Sequence, residues 1–418
     1  MTVALIAAGG GGIVLASLFY YPFEPNSLQY TIVSESRDRN PVPVAFENAT
    51  NLTNNPMDSV YGQVAAWNNN VYMLWEDSMP PGYRNYDIFI KSSTDNGTTF
   101  GAPINLSNNS GFSEHPQIAA YGNNVYAIWA DDTSGNREVL FTRSEDNSTS
   151  FEKIKNVSNT TSSDSFNQEI AVFGDNVYVV WLDQGADGNT SILLKASSDG
   201  GATFGRTVHI SNNANQETFP KVAAYGDNVY IAWNMAGHNI DERDNKGLFF
   251  VRSLDRGNTF QNIIQLNREN NNFGELQVAA FDETVYVVSG GLHSVNVDGV
   301  FFTKSIDGGR SFSEPVTIDE NPTFVNPLNV EVSAYDEQVS YVAAEVSILG
   351  NEEIVLMEMS GDNNNNNNNN STRVINLSNN PKTSECPSIA MAGDNIYVVW
   401  EDMTPGNHEI LYAKGIRA

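Results

Sequence analysis

The sequence predicts an all-β protein: a seven-bladed β-propeller of four-stranded antiparallel blades, its ring closed by an N-terminal strand and preceded by one hydrophobic N-terminal segment. Three observations predict it. An apolar strand pattern recurs seven times, starting at Gln63, Gln117, Glu169, Lys221, Gln277, Glu331 and Ser388, with spacings of 54, 52, 52, 56, 54 and 57 residues. That is the period of a propeller blade. A short turn signature, S-x-D-x-G-x-[ST]-F, recurs in the same frame. No soluble helix is visible in the chain.

Residues 1–25 read as a signal or anchor segment and 26–418 as the propeller. Thr2 to Tyr21 carries no charge and can span or nearly span a bilayer. The first basic residue is Arg37, so the usual positive flank is missing and orientation cannot be read. Gly9 to Gly12 weaken an isolated helix. Retention as an anchor is favoured over cleavage. Pro22 and Pro25 end the apolar run. Val42 to Asn48 then reads as an orphan outer strand, preceded by a worn turn signature, Ser36 to Asp38.

Each blade follows one order. Strand A is a small-residue run such as Gln63 to Trp67 (QVAAW), suited to a crowded inner edge. A turn such as Gly174 to Asn176 leads to strand B, for example Val177 to Trp181 (VYVVW). Its Tyr and Trp read as core between blades rather than as a sugar platform. Strand C, such as Asp87 to Lys91, follows a variable loop. The signature turn leads to strand D, such as Pro103 to Leu106. The last copy stops after strand C, His408 to Lys414, so the N-terminal orphan supplies its strand D and leaves no exposed edge. Two blades depart from the pattern: Ser289 and Ala343-Ala344 stand where Trp is expected, and Asn363 to Asn370 is a low-complexity C–D loop.

The signature stands at Ser93 to Phe100, Ser197 to Phe204, Ser253 to Phe260 and Ser305 to Phe312. Ser144 to Phe151 is a weaker copy with Ser148 at the glycine position. Asp and Ser close the turn through backbone hydrogen bonds, and Gly permits positive φ. These copies resemble the Asp-box, the bacterial neuraminidase repeat of sialidase-like β-propellers. The resemblance implies that Asp95, Asp146, Asp199, Asp255 and Asp307 are structural, on the face away from any ligand.

Net charge is −28, from 22 basic and 50 acidic residues, which excludes a basic nucleic-acid interface. The acidic balance leaves calcium as the one cofactor to consider. The five His residues show no metal-ligand spacing, so no metal site is assigned. The single Cys386 reads as a small buried apolar residue. Sequons are abundant, with Asn51, Asn105, Asn156 and Asn376 the glycosylation candidates.

Any site belongs on the D–A and B–C loops. Trp-x-Asp recurs at Asp77, Asp131, Asp183 and Asp402. Such acids either line an arc for a cation or polyhydroxylated ligand, or cap their own loops; repetition in every well-formed blade favours capping. Asp77, Asp131, Asp183, Glu114, Glu217 and Glu385 are the candidate acids of a hydrolase. Arg84, Arg137, Arg243 and Asp402 are candidate ligand contacts. Sialidases are similar in boxes and blades, but the resemblance implies six blades, an Arg-Ile-Pro motif and a Tyr–Glu pair, and none of the three can be placed here. The expected function is therefore an exported cell-surface module, non-catalytic, that binds glycans or other surface proteins, membrane-attached if residues 2–21 are retained. The alternatives are a sialidase-like glycoside hydrolase and a surface-layer or filament subunit.

Overall fold

The computed structural model describes residues 44–79, 85–186, 188–211, 217–235, 247–266, 272–292, 299–318, 324–334, 336, 339–360 and 371–417. The hydrophobic segment 1–25, the worn signature at 36–38 and the asparagine run 363–370 lie outside the described residues.

Seven antiparallel sheets form the ring. In blade one, strand A is Ser59–Trp67, B is Asn70–Met79, C is Asn85–Ser93 and D is Ile104–Asn105. Blades two to six repeat that order, starting at Ser113, Asp164, Glu217, Asn272 and Phe324. Blade seven joins Ser384–Ala392, Asn395–Asp402 and Glu409–Arg417 to the N-terminal strand, as the sequence predicts.

That closure differs in one detail. It comes in two pieces: Val44–Phe46 pairs with Gly415–Arg417, and Thr50–Asn51 pairs with Leu411 and Tyr412. Thr50–Asn51 matches strand D of the other blades, because Asn51 faces Leu411 as Asn105 faces Phe89. Val44–Phe46 is an addition that pairs with strand C from Gly415 onward, the position at which Ser93 begins the turn signature in blade one. Phe46 lies flat against Gly415, where an added Cβ would come within 2.6 Å of the ring.

Strand B explains its own composition. It is packed between neighbouring blades on both faces, so Val177 to Trp181 is buried without alternation. Trp129, Trp181, Trp233 and Trp400 are sealed, as are the tyrosines Tyr72, Tyr126, Tyr178, Tyr230, Tyr286, Tyr341 and Tyr397. Each core cluster bridges two blades; Tyr126, Ile128 and Phe141 of blade two pack with Ile170, Val179 and Trp181 of blade three. A buried aromatic of this size removes about 200 Å2 from water, roughly 5 kcal/mol of gross transfer free energy. In blade five Ser289 replaces the tryptophan, and a small cavity lies beside it, lined by Leu248, Val287, Phe301 and Phe302.

The signature turns close as their composition demands. Ser93 Oγ donates to Asp95 Oδ1 and accepts from the Gly97 N–H, while Asp95 also accepts from the Thr99 N–H and Oγ1. The same bonds recur around Asp146, Asp199, Asp255 and Asp307. These donors hold Asp95, Asp146, Asp199 and Asp307 down at about 2. The glycine packs against the preceding blade: a Cβ on Gly201 would meet the Phe141 ring at 2.5 Å. In the weaker copy Ser148 is buried at φ 65°, and its hydroxyl has no hydrogen-bond partner among the described residues. Ser148→Gly should therefore stabilise the fold by about 1 kcal/mol, read as a higher urea midpoint. An unchanged or lower midpoint would show that the serine is not strained.

Candidate functional site

The loop face carries three layers of polar side chains. The outermost is the Trp-x-Asp set. Asp402 Oδ2 accepts from Asn380 Nδ2 (2.6 Å), Ser384 Oγ (3.0 Å) and Trp400 Nε1 (3.1 Å), and Oδ1 accepts from the Thr404 N–H (2.7 Å). Asp131 repeats the arrangement with Asn109, Ser113, Trp129 and Thr133. Asp77 accepts from Asn55 and Ser59, and Asp183 from Ser163 and Ser165. Each acid ties the D–A loop of its own blade to strand B. Among the described residues none of the four is hydrogen-bonded to another.

The sequons have a related origin. Asn51, Asn105, Asn156 and Asn376 each end strand D and accept the N–H three residues on. The hydroxyl at the third position donates to the acid that opens strand C, as Ser107 does to Asp87 and Ser378 to Glu353. The pattern N-[LV]-[ST] is thus a turn requirement of the blade. Asn105 also donates its Nδ2 to Asp87 at 2.7 Å.

The second layer was not legible as a site. In blades one to four and seven strand A is bulged two residues before its start position, and in blade six the register also shifts at Asn329. There Tyr61, His115, Asn167, Phe219, Asn329 and Cys386 all adopt φ between 42° and 53°. That region is costly for bulky residues. Buried carboxylates of the preceding blade hold the bulges: Glu401 accepts the Tyr61 N–H, Glu76 the His115 N–H and Glu345 the Cys386 N–H. The backbone repeats while the side chain changes from blade to blade. Tyr61 packs against His115 with ring centroids 4.5 Å apart and tilted by 58°, and Asn329 reaches both Glu345 and the Cys386 Sγ.

Burial dominates the electrostatics. It pushes Glu76 up to about 8, with the His115 N–H opposing and Glu114 and Glu401 adding. Burial also raises the Cys386 thiol and lowers His115, while the Glu401 carboxylate raises His408, which faces it at 3.6 Å. In the sequence Glu76 and Glu401 are masked by the repeating aspartates beside them. The available signal was a carboxylate inside a strand buried on both faces. Glu76→Gln keeps the acceptor for His115 and removes the ionisation. Because the folded pKa lies above the unfolded 4.5, the wild type loses this contribution as pH rises toward 8. The variant should match wild type below pH 4.5 and exceed it above pH 8 in thermal midpoint. Equal midpoints at alkaline pH would refute the buried, protonated acid.

The third layer is axial. Lys221 Nζ lies 2.9 Å from Glu169 and 3.9 Å from Glu331, and Gln277 Nε2 donates to Glu331 at 2.7 Å. Burial raises Glu169 and lifts Glu331 to about 7 despite the lysine. Of the other candidates, Glu114 is ion-paired with Arg137 at 2.6 Å, Glu385 sits in register with Glu401, and Glu217 opens strand A of blade four. Arg84 and Arg243 lie outside the described residues. Among the described residues no group of three or more His, Cys, Asp or Glu converges as a metal site, and no helix is long and apolar enough to cross a membrane.

By sequence, no protein-family model and no curated protein matches the chain. By structure it is similar to a protein of unknown function from Dyadobacter fermentans (12% identity, 90% of this chain and 99% of that one, TM-score 0.54). It is also similar to the phage phi92 endosialidase (10%, 88% and 69%, TM-score 0.54) and to the polysaccharide lyase Uly1 (11%, 87% and 90%, TM-score 0.57). At these identities the likeness is one of fold alone, a β-propeller.

Proposed function

We propose that the protein is an exported cell-surface binding module, without turnover of its own, that docks a basic, partly apolar surface of another protein on its loop face. The observation that carries the reading is the bulge ring. A strained backbone is reproduced blade after blade while its side chain varies, which is how a fixed frame presents a specific pattern. Exposed apolar side chains belong to it or to the neighbouring loops: Phe219 in the ring itself, and Phe112, Leu328, Met403 and Leu349, the last 94% exposed at the tip of a two-residue turn. The carboxylates of Glu401 and Glu385, which act together on His408, favour a cationic partner. They oppose a carboxylate-bearing sugar. Export rests on the uncharged run 2–21.

Cross-linking on cells of the source organism tests this, with Tyr61→Ala/His115→Ala and Leu349→Asp as comparators and calcium present or absent. A captured protein that both variants release supports the reading. Capture that ignores both variants overturns it.

A second reading has one specific support. Glu76, raised to about 8 beside Glu114 and Glu401, has the protonation state of a general acid next to a second carboxylate. Hydrolysis of a fluorogenic glycoside that Glu76→Gln abolishes would establish a glycoside hydrolase instead.

A further inference from the structure

We infer that the opposite face of the ring carries a separate binding site, at the turn-side ends of the A strands, for a neutral, hydroxyl-rich carbohydrate. Strand A ends in an aromatic residue in blades one to five: Trp67, Tyr121, Phe173, Tyr225 and Phe281. Successive ring centroids are 4.2, 5.7, 4.8 and 5.4 Å apart, tilted by 39° to 52°. The rings form an overlapping collar around the axis. All five are half-buried, unlike the sealed tyrosines of strand B.

The collar is interrupted at blade seven, where the equivalent residue is Ala392. A depression of about 440 Å3 lies at this gap, lined by Asn68, Asn69, Asn70, Asn96 and Asn395 with Ala392 and Gly393. That volume is in the range of small-ligand sites. Asn68 stands where blades two, three, four and seven have glycine (Gly122, Gly174, Gly226 and Gly393), at φ 52°; Asn96 holds a left-handed turn position at φ 57°. Asn70 donates to Asn147, and Asn395 to the Ala392 carbonyl. Asn68, Asn69 and Asn96 make no side-chain hydrogen bond among the described residues.

The chemistry selects the ligand. A carboxamide offers a donor and an acceptor side by side, the match for vicinal hydroxyls. Trp67, the collar ring next to Asn68 in the chain, offers an aromatic surface for the C–H face of a pyranose. None of the lining side chains is charged, so neither a cation nor an anion is favoured, and the net charge of −28 repels polyanions. The site is separate from the bulge ring, which lies at the other end of strand A.

Titration calorimetry of the full chain with maltohexaose, cellohexaose, chitohexaose and mannohexaose tests it. We expect at least one to bind. Trp67→Ala should weaken it about tenfold, the worth of one aromatic contact. Asn69→Ala and Asn96→Gly, which keep the backbone and the core, should weaken it as well, and His115→Ala should leave it unchanged. Failure of all four sugars to bind overturns the inference. So does binding that survives Asn69→Ala and Asn96→Gly. Binding lost with His115→Ala would place the sugar on the loop face, and would overturn the protein-docking reading of that face too.

Discussion

Lys221→Met should destabilise the protein by about 3 kcal/mol at neutral pH, the scale of a buried ion pair left without one partner. Lys221 is the cation between Glu169 and Glu331, each from a different blade. Removing it leaves two buried carboxylates that must repel or take up protons. The loss should depend on pH in a defined direction. Both acids already sit above their unfolded values, Glu331 at about 7, and without the lysine they rise further. A raised folded pKa gives stability that is present below 4.5 and lost as pH rises through the folded value. The deficit of the variant should therefore be largest above pH 7 and shrink toward pH 4.5. Denaturant midpoints across that range measure it. A deficit independent of pH would mean that Lys221 acts only by filling space.

Asp402→Ala should cost a comparable amount, about 3 kcal/mol, because it strands four donors at once in a buried position. Asn380, Ser384, Trp400 and the Thr404 N–H all converge on that carboxylate. Asp402→Asn should recover only part, since one oxygen becomes a second donor facing donors. Asp183 has two hydroxyl donors and is less enclosed, so Asp183→Ala should cost about 1 kcal/mol. Thermal or urea unfolding ranks the three. If Asp402→Ala left stability intact and removed binding of a ligand instead, the bracket would be a site.

The repeat made most of the fold legible. Seven copies of strand A at one spacing, the Val-Tyr-x-x-Trp pattern of strand B and the Ser-Asp-Gly turn fix the blade and its order, and the incomplete last copy required a strand from the N-terminus. The two-piece form of that strand was hidden because strand D is only two residues long in most blades, too short for a periodic signal. The candidate site was less legible. Asp77, Asp131, Asp183 and Asp402 stood out because they repeat, and repetition marks what every blade needs. Tyr61, His115 and Cys386 share a position but no residue type, so sequence comparison between blades passes over them. Their common property is a backbone angle. Glu76 and Glu401 are isolated acids whose meaning depends on a neighbouring blade's N–H, a contact between residues far apart in the chain.

The two-piece closure has a mechanical consequence. A pull applied ahead of residue 44 reaches first the three pairs Val44–Arg417, Ala45–Ile416 and Phe46–Gly415, and only then Thr50–Asn51. The load falls on a short outer ribbon rather than on the inner strands. Under tension the ring would yield there first, lifting Phe46 off Gly415 while six covalently continuous blades keep their form. A tether at that end would make the seam of blade seven the force-limited element of the whole molecule.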